Sequence, residues 1–156
     1  MKAIHWIIAA AALAFVQAIP ASAAQGDPEV IIYRFPGVVD NGGSMLAGVA
    51  TVFSCTNFSG VTENVRFVVR NFNGNLASNL VFAVDHLTTR NAATHLVFAY
   101  ANQSLNTAQV QGGTTAIAAT SINVICTAVI TDAGSSLPQG ASLRGIRFNP
   151  VPGSQE

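Results

Sequence analysis

Between Val30 and Phe148 the chain is cut into short β-branched and aromatic runs by clusters of Gly, Asn, Asp and Pro, a spacing that favours strands over any other element. The clearest run is Val65 to Phe72. Val65, Phe67 and Val69 fall on one parity and Arg66 and Arg70 on the other, which is the two-residue period of a strand with one buried face. Asn73-Gly74 follows it and predicts a tight hairpin, since a type I′ turn needs positive φ at both central residues. Further strands are expected at Val30–Phe35, closed by Pro36-Gly37, and at Leu46–Cys55, after the turn cluster Asp40-Asn41-Gly42-Gly43. Leu80–Val84 and Leu96–Tyr100 share the pattern Leu-Val-Phe-Ala and read as two similar neighbouring strands. Thr115–Ala119, after a Gly112-Gly113 turn, Ile122–Thr131 and Ser142–Phe148 complete the series. No later stretch of helix length has a helical period. The expectation is an all-β chain forming a single antiparallel β-sandwich of about seven or eight strands, with a closed β-barrel as the alternative.

The first residues bear on compartment. Lys2 precedes an apolar segment from Ile7 to Val16, Pro20 ends it, and Ala21-Ser22-Ala23 matches the small-residue pattern of signal-peptidase cleavage. The apolar segment is shorter than a membrane span requires. Residues 1–24 therefore read as a signal peptide and residues 25–156 as one domain of ordinary size. Seven Lys and Arg balance seven Asp and Glu, and the only lysine lies in the leader. Without a basic excess, nucleic acid and anionic lipid are poor partners. A surface of Asn, Thr, Ser and Gln suits a secreted protein, periplasmic or extracellular, with no integral membrane segment in its mature form.

Two cysteines stand 71 residues apart, Cys55 and Cys126. Three roles compete: a staple, a redox pair, or half of a metal site. A redox pair needs close spacing. A metal site needs more ligands than His86, His95 and Met45 offer. Cys126 shares its parity with Val124, Ala128 and Ile130, and Cys55 shares its own with Val49 and Phe53, so both sulfurs point inward. In an exported chain a disulfide between the two sheets is the expected outcome.

No catalytic residue, cofactor or metal is expected. Asp85-His86 are neighbours on a strand and point to opposite faces, so they do not form an oriented acid–histidine pair. Gly42-Gly43-Ser44-Met45-Leu46 lacks the last glycine of a nucleophile elbow. His86 and His95 read as polar residues at strand ends. Asn57-Phe58-Ser59 and Asn102-Gln103-Ser104 match a glycosylation pattern that the bacterial style of the leader makes incidental. The candidate interaction surface consists of Arg66 and Arg70, whose guanidinium forks suit planar anions, and of Ile125 and Val129. The latter two occupy the outward parity of an otherwise apolar strand, which calls for cover from the N-terminal segment, a loop or another subunit.

Cys55-Thr56-Asn57-Phe58-Ser59-Gly60, Val124-Ile125-Cys126-Thr127-Ala128 and the closing Arg147-Phe148-Asn149-Pro150-Val151-Pro152-Gly153 resemble stretches of small exported bacterial proteins of unknown function with an immunoglobulin-like look. The resemblance implies an immunoglobulin-like sandwich and no particular activity. Chaperone–usher pilins are the nearest functional comparison, being exported, low in charge and β-rich, although they place their cysteines closer together. The expected function is a secreted, non-catalytic binding or surface-interaction module for a protein or glycan partner. The alternatives are a structural subunit that assembles by pilin-like strand pairing, as a homo-oligomer, and a secreted enzyme.

Overall fold

A computed structural model describes residues 26–43 and 45–148. The expected signal peptide and the closing residues 149–156 lie outside them. The described chain is all-β, with ten strands and no helix: β1 (Val30–Asp40), β2 (Val49–Asn57), β3 (Glu63–Arg70), β4 (Leu76–Val84), β5 (Thr89–Ala93), β6 (Asn102–Ser104), β7 (Val110–Ala119), β8 (Val124–Asp132), β9 (Gly140–Leu143) and β10 (Ile146–Arg147). They form two open five-stranded sheets, ordered β10-β1-β7-β3-β4 and β6-β5-β2-β8-β9. Neither sheet closes on itself, which removes the barrel alternative. Every pairing is antiparallel except β5 with β6.

The period-two pattern of β3 does what its alternation predicts. Val65, Phe67 and Val69 are fully buried, while Arg66 and Arg70 face outward. The inner faces of both sheets meet in one apolar cluster: Ile32 and Phe35 from β1, Val65, Phe67 and Val69 from β3, Ile117 from β7, Phe53 and Cys55 from β2, and Val124, Cys126 and Ala128 from β8. A row of rings runs through it. Phe53, from the second sheet, lies 5.7 Å from Phe35 and 6.0 Å from Phe67, both of the first, in edge and tilted contacts that bind the layers together.

Several boundaries differ from the sequence expectation. Pro36-Gly37 does not end β1; the strand continues to Asp40 through a register shift, with Gly37 at φ 80°. Gly112-Gly113 is no turn but lies inside β7, where a Cβ on Gly113 would stand 2.3 Å from the Arg70 carbonyl oxygen. The β3–β4 hairpin exists, but not as a type I′ turn. The Gly74 N–H donates to the Asn71 carbonyl at 2.9 Å, and of Asn73 and Gly74 only the glycine has positive φ (83°), as in a type I turn with glycine at its last position.

Leu96–Tyr100 is the clearest departure, because it is not a strand. It belongs to the loop after β5, which lies over the outer face of the second sheet. There Val97 packs in a separate buried cluster with Ala50, Val52, Ala93 and Ala133, flanked by Tyr100 and Val129. The Phe98 N–H donates to the Ala133 carbonyl (2.8 Å), and Asn102 Nδ2 donates to the Val97 and Tyr100 carbonyls (2.8 and 2.6 Å), which fixes the loop in place. This loop supplies the cover that the outward side of β8 required at Val129. Ile125, at the other end of that strand, stays 44 % exposed.

Candidate functional site

The two sulfurs are bonded, with Cα atoms 4.1 Å apart. The expected placement between the sheets is corrected. Cys55 and Cys126 face each other directly across β2 and β8, which are neighbours in one sheet. The Asn57 N–H and C=O pair with Thr88 and Leu87 on the β5 side, so by alternation Cys55 also turns its backbone groups toward β5. Cys55 and Cys126 are then a non-hydrogen-bonded pair, the antiparallel position where opposing Cα atoms come closest, which brings the two sulfurs within bonding reach. Cys55 is fully buried and Cys126 nearly so. The bridge holds no reactive group at the surface and is compatible with an oxidising compartment.

The polar centre with the most chemistry was not legible in the sequence. Asp40, at the end of β1, and His95, in the covering loop, meet with Nδ1 2.8 Å from Oδ2, and their side chains are 2 % and 13 % exposed. Asp40 Oδ1 accepts the Gly42 N–H at 2.7 Å, and Thr107 Oγ1 lies 3.4 Å from Oδ2. Thr107 is flanked by Asn106 and Ala108, both with left-handed backbone (φ 51° and 55°), a strained turn that sets its hydroxyl near the carboxylate while the Ala108 carbonyl is its nearest acceptor, at 2.9 Å. Beside this group, Thr51 Oγ1 exchanges hydrogen bonds with Val39, which ties β2 of one sheet to β1 of the other. An aspartate on Nδ1 is how a catalytic histidine is oriented. Here, however, Nε2 lies 3.1 Å from the Ala47 carbonyl, so the nitrogen that would serve as a base is already engaged. The arrangement works as a clasp between chain segments. His95 lies two residues past the end of β5, and its ring is held in this clasp rather than turned to solvent. Asp40 and Ala47 lie 55 and 48 positions before His95, and Thr107 lies 67 after Asp40, and no local pattern announces such a meeting.

The other histidine is separate. His86 Nδ1 accepts the exposed Gly60 N–H at 3.0 Å, and neighbouring Asp85 accepts from Thr62 Oγ1 at 2.7 Å, so Asp85 and His86 do not pair. Among the described residues no three metal-ligating side chains converge. Glu63, fully buried at the start of β3, receives the Thr120 hydroxyl on one oxygen; the other has no partner among the described residues. Asn57 is also fully buried, its Nδ2 donating to the Val61 and Val84 carbonyls, so the first glycosylation match is closed to modification.

Arg66 and Arg70 share the outer face of β3 but do not act as one anion fork. Arg66 is engaged by Glu29, Nε to Oε2 at 2.5 Å and NH2 to Oε1 at 3.1 Å, and its NH1 donates to Asn79 Oδ1 at 3.1 Å. Donating to Glu29 raises the guanidinium pKa further, against an opposing effect of burial and with the help of the Glu29 charge. Arg70 is exposed and donates to the Gly74 carbonyl at 2.9 Å.

The surface that stands out is the β4 edge of the first sheet. Among the described residues β4 pairs with β3 alone, and its nine residues carry no charge and no proline. Asn64 and Thr120 exchange bonds on the β7 side of β3, with the Thr120 N–H donating to the Asn64 carbonyl. Alternation therefore aims the backbone groups of Val65 and Phe67 at Phe82 and Leu80, and turns those of Asn79, Val81 and Ala83 toward the open side. The Ala83 carbonyl accepts from Arg90 at 3.4 Å, consistent with that direction. Leu80 and Val81 are 37 % and 43 % exposed, and Phe72 and Leu76 beside them still more so. The remaining edges are short: β6 has three residues, β9 four and β10 two. No helix among the described residues is long and apolar enough to cross a membrane. No protein-family model, curated protein or solved structure matches the chain.

Proposed function

We propose that this chain is a secreted, non-catalytic surface-interaction module with an immunoglobulin-like sandwich fold, and that it binds through the β4 edge. The observation that carries the reading is the combination in one strand of an open backbone ladder, exposed apolar side chains and no charge. Proteins ordinarily blunt such an edge with lysine, proline or a bulge aimed at solvent. Here Arg90 reaches only the far end, at Ala83, and Arg66, which donates to Asn79 Oδ1 from β3, has its charge paired with Glu29. An edge of this kind adds an extended segment by main-chain hydrogen bonds and selects it by alternate side chains. The apolar Ile125 is a subsidiary contact, and Arg70 remains available at the hairpin end. The buried bridge supports an oxidising location, and the capped His95 supports a binding role over a hydrolytic one.

The test is binding of a fluorescent peptide with the Leu76–Val84 sequence and solubilising terminal lysines. Saturable binding to the mature protein that is lost in Val81→Lys is the expected result. Equal binding to both proteins, or none to either, would overturn the edge as the binding surface.

A further inference from the structure

The geometry points to a second copy of this chain as the occupant of the β4 edge, in an antiparallel pairing centred on Leu80. The inference rests on the proposed edge-binding role and specifies its partner. A twofold pair of edge strands must be self-complementary, so that what residue i meets is also met in return. β4 satisfies this because all nine side chains are uncharged, and no like charges are brought together when the strand meets itself. A partner read by charge would find nothing on this strand to recognise.

The register follows from which backbone groups are open. Asn79 and Val81 turn their N–H and C=O groups outward, and Leu80 between them turns its own toward Phe67 of β3. Centring the twofold on Leu80 sets Asn79 of each copy opposite Val81 of the other, where each pair exchanges both of its backbone bonds. Leu80 then faces Leu80 in the non-hydrogen-bonded position, where opposing side chains are closest. This is the same kind of position that Cys55 and Cys126 occupy within the molecule. The pairing joins the two first sheets into one continuous sheet. It covers Leu80 and Val81 and leaves the Arg90–Ala83 contact outside the central bonds. The β3–β4 hairpin, with exposed Phe72 and Leu76, then lies along the far end of the partner's β4.

Sedimentation of the oxidised mature protein over a concentration series tests the inference, together with two cysteine variants. The expected result is a monomer–dimer equilibrium, weakened about tenfold or more by Val81→Lys, which places two ammonium groups diagonally across the seam, and unchanged by Ile125→Lys. Leu80→Cys is expected to form a disulfide-linked dimer on mild oxidation. Leu76→Cys is not, because in this register the two Leu76 positions lie on the order of 25 Å apart. A wild-type protein that stays monomeric throughout, a dimer indifferent to Val81→Lys, or equal cross-linking of both cysteine variants would each overturn the inference. Peptide binding to a strictly monomeric protein would retain the edge as a binding surface while ruling out the second copy, so the two claims fail separately.

Discussion

The imidazole of His95 lies between two acceptors, the Asp40 carboxylate and the Ala47 carbonyl, whereas that of His86 accepts a single exposed backbone N–H. His95→Gln should therefore remove the close partner of the buried Asp40 Oδ2, leaving the Gly42 N–H on Oδ1, and lower stability by about 1–3 kcal/mol. His86→Gln should change it by no more than about 0.5 kcal/mol, as at most surface positions. Urea denaturation of the two single variants measures the contrast, and equal effects would show that the clasp contributes nothing. The cysteines act at the same scale. Replacing both Cys55 and Cys126 by Ala should lower stability by roughly 2–5 kcal/mol, the usual cost of losing a native bridge in a small domain. Thermal unfolding checks this, and a thiol titration of the unfolded, unreduced wild type should detect no free thiol.

At the scale of elements, the two Leu-Val-Phe-Ala segments show what a short apolar run can and cannot convey. In β4 the run is an edge strand. At Leu96–Tyr100 the same pattern is a loop, whose Val97 is buried against the outer face of the second sheet while Phe98 is 62 % exposed. Such runs fix that something apolar must be covered, not the backbone shape that covers it. β3 was legible because alternating valine, phenylalanine and arginine admit only one orientation on a half-buried sheet. β5 was not. Thr89-Arg90-Asn91-Ala92-Ala93 has no strand-forming residue but threonine, and it is extended because β2 pairs along its whole length. The covering loop also divides the two outward residues of β8. Val129→Asp should lower stability by about 1–3 kcal/mol by burying a charge beneath the loop, whereas Ile125→Asp should be nearly neutral. Comparing the denaturation midpoints of the two variants checks both statements, and a neutral Val129→Asp would mean the loop is not held against the sheet.

For the whole molecule, parity told that both sulfurs face inward but not which strands are neighbours. Two inward cysteines fit a bridge across the core and a bridge within one sheet equally well. The choice depends on β2 lying between β5 and β8, which only the three-dimensional pairing reveals. The same is true of Asp40 and His95, since the polar clasp arises where the end of β1 in one sheet meets the loop over the other. What composition did indicate, a low-charge surface without lysine in the domain, takes its meaning from topology, because it leaves β4 an edge with nothing to repel another strand. The central claim, that this edge is open and addressed to an extended partner, is tested most directly by residue-resolved amide hydrogen exchange of residues 25–156 in dilute solution. Leu80 and Phe82 should be protected through their bonds to β3, while Asn79 and Val81 exchange rapidly and become protected when the Leu76–Val84 peptide is added. Slow exchange at all four positions in dilute protein without peptide, or no gain in protection at Asn79 and Val81 with it, would contradict the account.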